Sequence, residues 1–106
     1  MFACAMTPGD SAHLNNLQKE FDYNVKRLRQ HPSMALWCGN NENMEGWFLR
    51  GWGKKYGVKP QDSLKLMETY KTIFYDMIPN TIKKYDSKRF YWPCSPGSEY
   101  QISMSN

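Results

Sequence analysis

The sequence lacks most of the marks that assign a chain quickly. Its three cysteines, Cys4, Cys38 and Cys94, are widely spaced and odd in number, which argues against a closed disulfide framework. No CxxC or HxxxH spacing suggests zinc, so buried thiols acting as small hydrophobes are the simpler expectation. No run of about 18 apolar residues occurs, so no membrane-spanning segment is expected. The opening stretch Met1–Met6 has no basic region, and no cleavable signal is expected there. An N-x-Ser/Thr glycosylation acceptor is absent. No phosphate-binding glycine pattern follows any apolar run, which disfavours a dinucleotide fold. No cofactor is expected.

What is present is an aromatic-rich chain of one domain at most. Of 106 residues, 41% are hydrophobic and 15% aromatic, a load that disordered chains do not carry. Part of it is expected to line a groove. The formal net charge is +4, but the basic residues are scattered: Lys26, Arg27 and Arg29, then Lys54 and Lys55, then Lys83 and Lys84. No basic stripe with interleaved aromatics forms, so a solvated surface is expected and a nucleic-acid partner is not.

Met1–Met6 is a short apolar run broken by Thr7-Pro8-Gly9-Asp10, which suits a strand buried on both faces. Asp10 or Ser11 can cap a helix, in which Leu14, Leu17, Phe21, Val25 and Leu28 share one face. Pro32 is expected to end it. Met34-Ala35-Leu36-Trp37-Cys38 reads as a second strand, with the polar cluster Gly39-Asn40-Asn41-Glu42-Asn43 directly after it. Residues 44–61 read as a long connection rich in Trp, Gly and Tyr. Asp62 or Ser63 can cap the next helix, which Pro79 should kink or end. Arg89-Phe90-Tyr91-Trp92 reads as a third strand closed by Pro93, with a loop over residues 94–98. Alternating strands and helices imply right-handed βαβ units and a parallel sheet. The fold class is α/β.

Ligand sites of such sheets lie beyond the C-terminal ends of the strands, and Glu42 stands there. A half-buried carboxyl at that position would have its ionised form disfavoured by desolvation, as a general acid at neutral pH requires. Trp47, Trp52 and Trp92 are candidate ligand platforms, since an aromatic face packs on C–H groups and an indole N–H can bond a hydroxyl. Trp37, inside a strand, is expected to fill the core of a barrel. Ser95 is a weaker pocket candidate.

The segment His31-Pro32-Ser33-Met34-Ala35-Leu36-Trp37-Cys38-Gly39-Asn40-Asn41-Glu42 closely resembles the acid/base segment of glycoside hydrolase family 2, and the Cys-Gly-Asn-Asn-Glu wording resembles its β-mannosidases. Phe2-Ala3-Cys4-Ala5-Met6 with Pro8-Gly9-Asp10 resembles the third barrel strand and its loop; Thr7 departs, where a tyrosine is expected. Tyr91-Trp92-Pro93 with Ser95-Pro96 resembles the fifth strand. The resemblance implies that residues 1–106 are a fragment of a catalytic (β/α)8 TIM barrel, a βαβαβ segment incomplete on its own. It implies retaining hydrolysis of terminal β-mannosides, with Glu42 as general acid/base and Asn41 bonding the sugar 2-hydroxyl. The nucleophile of the family comes from the seventh strand, beyond Asn106; Glu45 has no such role there, and Glu99 is a remote candidate. The isolated chain is then expected to be inactive, and its open sheet edges favour self-association. A carbohydrate-binding remnant, or another family 2 exo-enzyme acting on β-glucosaminides or β-galactosides, are the alternatives. By the same resemblance the protein would be periplasmic or secreted in a bacterium and lysosomal in an animal.

Overall fold

The computed structural model describes Phe2 and residues 4–97. The element order is α1 (Ser11–Leu28), β1 (Leu36–Asn41), α2 (Asn43–Phe48), α3 (Trp52–Lys55), α4 (Pro60–Lys71), a π-helical segment (Thr72–Met77), α5 (Ile78–Tyr85) and β2 (Phe90–Ser95). The two strands pair in parallel, with Leu36 opposite Phe90 and Asn41 opposite Ser95. Phe2 makes an isolated parallel bridge to Asn40. Its N–H bonds the Gly39 carbonyl at 2.8 Å, and its own carbonyl takes the Asn41 N–H at 3.1 Å. On the other side, the Glu42 N–H bonds the Ser95 carbonyl at 2.8 Å. Odd and even backbone groups of a strand point to opposite edges, so Phe2 occupies one edge of β1 and β2 the other.

The apolar opening run therefore joins the sheet where a strand was expected, but as this one bridge among the described residues. Cys4 and Ala5 are exposed, and Met1 and Ala3 lie outside the described residues. Helix α1 starts as the sequence suggests: the Asp10 carboxylate accepts from the His13 N–H at 3.0 Å. It stops at Leu28, ahead of Pro32. Arg89 holds the connection from α1 to β1. Its guanidinium donates to the carbonyls of Arg29 (2.7 Å), His31 (2.8 Å) and Met34 (2.9 Å), and to Asp86 (2.8 Å). One side chain thus answers three backbone carbonyls of that connection.

Several boundaries differ from expectation. Strand β1 runs on through Gly39, Asn40 and Asn41 instead of stopping at Cys38, because the ladder to β2 and the Phe2 bridge engage the polar residues. The connection over 44–61 holds two short helices, α2 and α3. Helix α4 begins at Pro60 with Lys59 as its cap, not at Asp62 or Ser63; the fixed φ of proline suits the first helical position. Pro79 does not end the helix. The chain widens into the π-helical segment just before it, with the Ile78 N–H reaching back to Ile73, and so absorbs the clash proline would cause in a regular helix. Strand β2 includes Pro93, Cys94 and Ser95, and it is an edge strand among the described residues, where proline is tolerated.

The core is built from Phe21 and Val25 of α1, Met44, Tyr70, Ile73, Phe74, Ile78, Ile82 and Cys94. The Phe2 ring packs edge-on to Phe21 and Phe74, with centroids 5.5 and 5.9 Å away. Trp37 and Tyr91 pack on the same cluster. Trp37 faces the helices, and its indole N–H donates to Asp86 at 2.8 Å, so it does not fill a barrel interior. A Cβ at Gly39 would collide with the Pro93 carbonyl and stand 2.7 Å from the Tyr91 hydroxyl; glycine there lets the sheet close on Tyr91. The opposite face of the sheet is open: Leu36, Phe90 and Trp92 are 47%, 59% and 41% exposed. No helix among the described residues is long and apolar enough to cross a membrane.

Candidate functional site

The chain must leave β1 and enter α2 within one residue, and that residue is Glu42. Its N–H closes the ladder on Ser95, and its carbonyl accepts the first bond of α2 from Gly46 at 2.8 Å. Glu42 meets both in the left-handed region, at φ 58° and ψ 5°. A side chain there costs on the order of 1–2 kcal/mol, and such strain gathers at functional sites. The Glu42 side chain is 34% exposed, and its carboxylate stands 3.6 Å from the Arg50 guanidinium. Arg50 is itself held by Glu45: Nε and Nη2 donate to the same carboxylate oxygen at 3.1 and 2.7 Å. The bond and charge of Glu45 push the Arg50 guanidinium above its ordinary value.

The three asparagines around Glu42 do different work. Asn40 is fully buried. Its amide donates to the Tyr70 hydroxyl (3.2 Å) and the Pro93 carbonyl (2.9 Å), and its oxygen accepts the Asn43 N–H (3.3 Å). Asn43, also buried, donates from its side chain to the Ala5 carbonyl at 3.0 Å; its Oδ1 finds no partner among the described residues. These two lock the strand end to the helices and to the opening segment. Asn41 is half-buried, and its side-chain amide makes no hydrogen bond among the described residues. It lies opposite Ser95 in the ladder, so Asn41, Glu42 and Ser95 are brought together at one rim. Ser95 belongs to the strand itself, not to a loop after it. Beneath them, burial drives the Tyr70 and Tyr91 phenols well above their ordinary range and pushes Tyr75 up to about 12. They stay neutral, and Tyr91 donates to the Phe74 carbonyl at 2.7 Å.

The tryptophans divide. Trp47 and Trp52 sit on α2 and α3, each against the other helix: a Cβ at Gly46 would collide with the Trp52 indole, and one at Gly53 would stand 3.3 Å from Trp47. Together with Cys4, Ala5, Met6, Tyr56, Val58 and Leu66 they line an apolar cavity of about 320 Å³. Glu42 and Trp92 do not line it. Trp92 lies on the open sheet face, its ring 5.7 Å from Phe90. A larger cleft of about 420 Å³ lies between α1, α5 and the Phe2 edge of the sheet and contains none of the candidate site residues. No three His, Cys, Asp or Glu side chains converge as a metal set among the described residues. Glu99 lies outside the described residues. Sequence reasoning missed Asn40, Asn43 and Arg50; the signal for the first two was a polar cluster continuing a buried strand.

No protein-family model matches the chain. Among curated proteins it is 33% identical over 104 residues to β-mannosidase B of Emericella nidulans, covering 97% of this chain and 12% of that protein. To the β-mannosidase of Bos taurus it is 34% identical over 96 residues, covering 91% of this chain and 10% of that one. The crystal structure of a β-D-mannosidase from Dictyoglomus thermophilum superposes with a TM-score of 0.70 at 40% identity, over 91% of this chain and 11% of that chain. This chain is homologous to one segment of the β-mannosidases. It spans about an eighth or less of the length of these relatives. The likeness to β-mannosidases, which are glycosidases, runs through both strands and the helices between them, so it takes in the Glu42 rim and not one motif alone.

Proposed function

We propose that residues 1–106 form a segment of the (β/α)8 catalytic domain of a retaining β-mannosidase of glycoside hydrolase family 2, with Glu42 as its general acid/base. The observation that carries the reading is Glu42 itself, half-exposed and in a left-handed conformation at the C-terminal rim of a parallel strand, in a chain homologous to β-mannosidases over most of its length. Strand rims of this kind are where parallel barrels place their chemistry.

The steps come from one carboxyl with two duties. Glu42 gives its proton to the glycosidic oxygen as the bond from C1 breaks. A second carboxylate about 5–5.5 Å away attacks C1 and forms the covalent mannosyl-enzyme. Water then enters where the leaving group stood, gives its proton back to Glu42 and releases mannose with its configuration retained. That nucleophile would come from a later strand of the barrel. The Asn41 amide, which makes no hydrogen bond among the described residues, is suited to meet the axial 2-hydroxyl, a contact that strengthens in the transition state. Ser95 adjoins it; Trp92, and the Trp47–Trp52 pair farther along the rim, are the candidate sugar-facing aromatics.

The test is Glu42→Ala in the intact protein. On a β-mannoside whose leaving group needs protonation, kcat/KM should fall by about 10²–10⁴, and far less on an activated aryl mannoside. Undiminished turnover of the poor leaving group would refute the assignment. Parallel assays on β-galactoside and β-glucosaminide check the substrate class. The open face of Leu36, Phe90 and Trp92 favours one further reading: in a full barrel it meets the other strands, and the isolated 106-residue chain, inactive without a nucleophile, self-associates through it. Sedimentation of that chain as a compact monomer at low concentration would contradict this.

A further inference from the structure

Resting on the reading of Glu42 as acid/base, we propose that Arg50 is a positioning residue for it: tethered by Glu45, the Arg50 guanidinium fixes where the Glu42 carboxyl stands at the rim of β1. The backbone of Glu42 is pinned on both sides, by Ser95 and by Gly46. Its side chain is not: it has several rotatable bonds and accepts no capping hydrogen bond from the backbone of α2. A general acid must come within about 3 Å of the oxygen it protonates, and a misplacement of about 1 Å can cost on the order of a hundredfold in rate. A carboxyl on a free stem is poorly suited to that.

Arg50 supplies the missing constraint. It lies just past the last turn of α2, and its N–H bonds the Glu45 carbonyl at 3.1 Å. Two of its side-chain nitrogens converge on one oxygen of Glu45, at 3.1 and 2.7 Å. A planar fork held at two points has little freedom left. The same Nη2 that bonds Glu45 also faces Glu42 at 3.6 Å. That separation is longer than a hydrogen bond. The cation therefore orients the carboxylate without occupying either of its oxygens with a hydrogen bond. From the neighbouring strand, β2 contributes the Ser95 carbonyl that accepts the Glu42 N–H. Glu45 thus serves as an anchor, and Arg50 as a guide.

Because Arg50 is half exposed, its ion pairs should matter little to stability, which separates positioning from structural support. In the intact protein, Arg50→Met, Arg50→Lys and Glu45→Gln are each assayed on an alkyl β-mannoside, which needs the acid, and on a dinitrophenyl β-mannoside, which does not. Arg50→Met should lose about tenfold in kcat/KM on the alkyl substrate, with kcat/KM on the dinitrophenyl substrate and the melting temperature near wild type; the dinitrophenyl kcat, which includes the base-assisted water step, should fall as well. Arg50→Lys should recover part of the loss, since it keeps the cation, and Glu45→Gln should show a smaller loss on the same substrate. Equal losses of kcat/KM on both substrates, or none on either, overturn the proposal. Glu42→Ala run beside them separates the two claims. If that variant shows its leaving-group-dependent loss while Arg50→Met is silent, only the positioning role falls; if Glu42→Ala is also silent, the acid/base reading falls first.

Discussion

The base of β1 and its rim are built in opposite ways. At the base, Trp37, Gly39 and Asn40 meet the helices with their polar groups answered: the indole N–H by Asp86, the Asn40 amide by Tyr70 and Pro93. At the rim, the Asn41 amide has no hydrogen bond among the described residues, Glu42 sits in a strained conformation and its carboxylate has Arg50 at 3.6 Å for company. The strand changes character between Asn40 and Asn41. On the reading proposed for Glu42, rigidity and reactivity are separated along one strand, so that the first can serve to hold the second. Changes at the base should be read in stability, and changes at the rim in activity.

The contrast can be broken from the base upward. Phe74 is 3% exposed and touches both Tyr70 and Phe2. Phe74→Ala should cost about 3–5 kcal/mol in denaturant unfolding of the intact protein; a cost under about 1 kcal/mol would mean the helical layer is not the support described. Next comes Asn40→Leu, which removes the side-chain bonds to the Tyr70 hydroxyl, the Pro93 carbonyl and the Asn43 N–H. It should cost about 1–3 kcal/mol, read in the same way, and a stabilised variant would contradict the network.

A smaller effect should appear with pH. Burial opposes the Asp86 carboxylate, but hydrogen bonds from Arg89 and Trp37, with the Arg89 and Arg29 charges, outweigh it and hold the carboxyl below its ordinary value. A group depressed in the folded state contributes stability in full above its unfolded value, about 3.9, and loses it as pH falls through the lower folded value. Unfolding measured from about pH 6 downward should therefore show wild type losing its margin over Asp86→Asn only below about pH 4. A margin independent of pH would exclude the charge as its source. Least of all, Asn41→Ala should change stability by no more than about 0.5 kcal/mol while lowering kcat/KM on a mannoside; the reverse pattern would place Asn41 with the base.

Much of the fold and part of the site are legible in the residues alone. The apolar spacing of α1 and the Asp10 cap are local signals, and the structure obeys them. Glu42 at a strand end is legible because apolar Met34–Cys38 gives way abruptly to polar residues. What the pattern hides is tertiary. Asn40 reads as one member of a polar cluster past the strand, yet it is fully buried, with Tyr70, thirty residues on, answering its amide. Pro79 reads as a kink or an end of its helix; a π-helical widening just before it lets the helix run on. Pro93 reads as a strand stop, yet an edge strand tolerates it. Trp47, Trp52 and Trp92 read as one aromatic set, but two share a cavity and the third faces the open side of the sheet; spacing in sequence carries no information about which face a distant strand presents.

One measurement bears most directly on Glu42. The Glu42→Ala form of the intact protein is given an activated aryl β-mannoside with and without azide, and the product is identified by NMR. Azide needs no proton removed, so it can replace the base-assisted water in the second step. Faster turnover with β-mannosyl azide as product is the predicted result. No acceleration, or an azide of inverted configuration, would contradict the role given to this carboxyl.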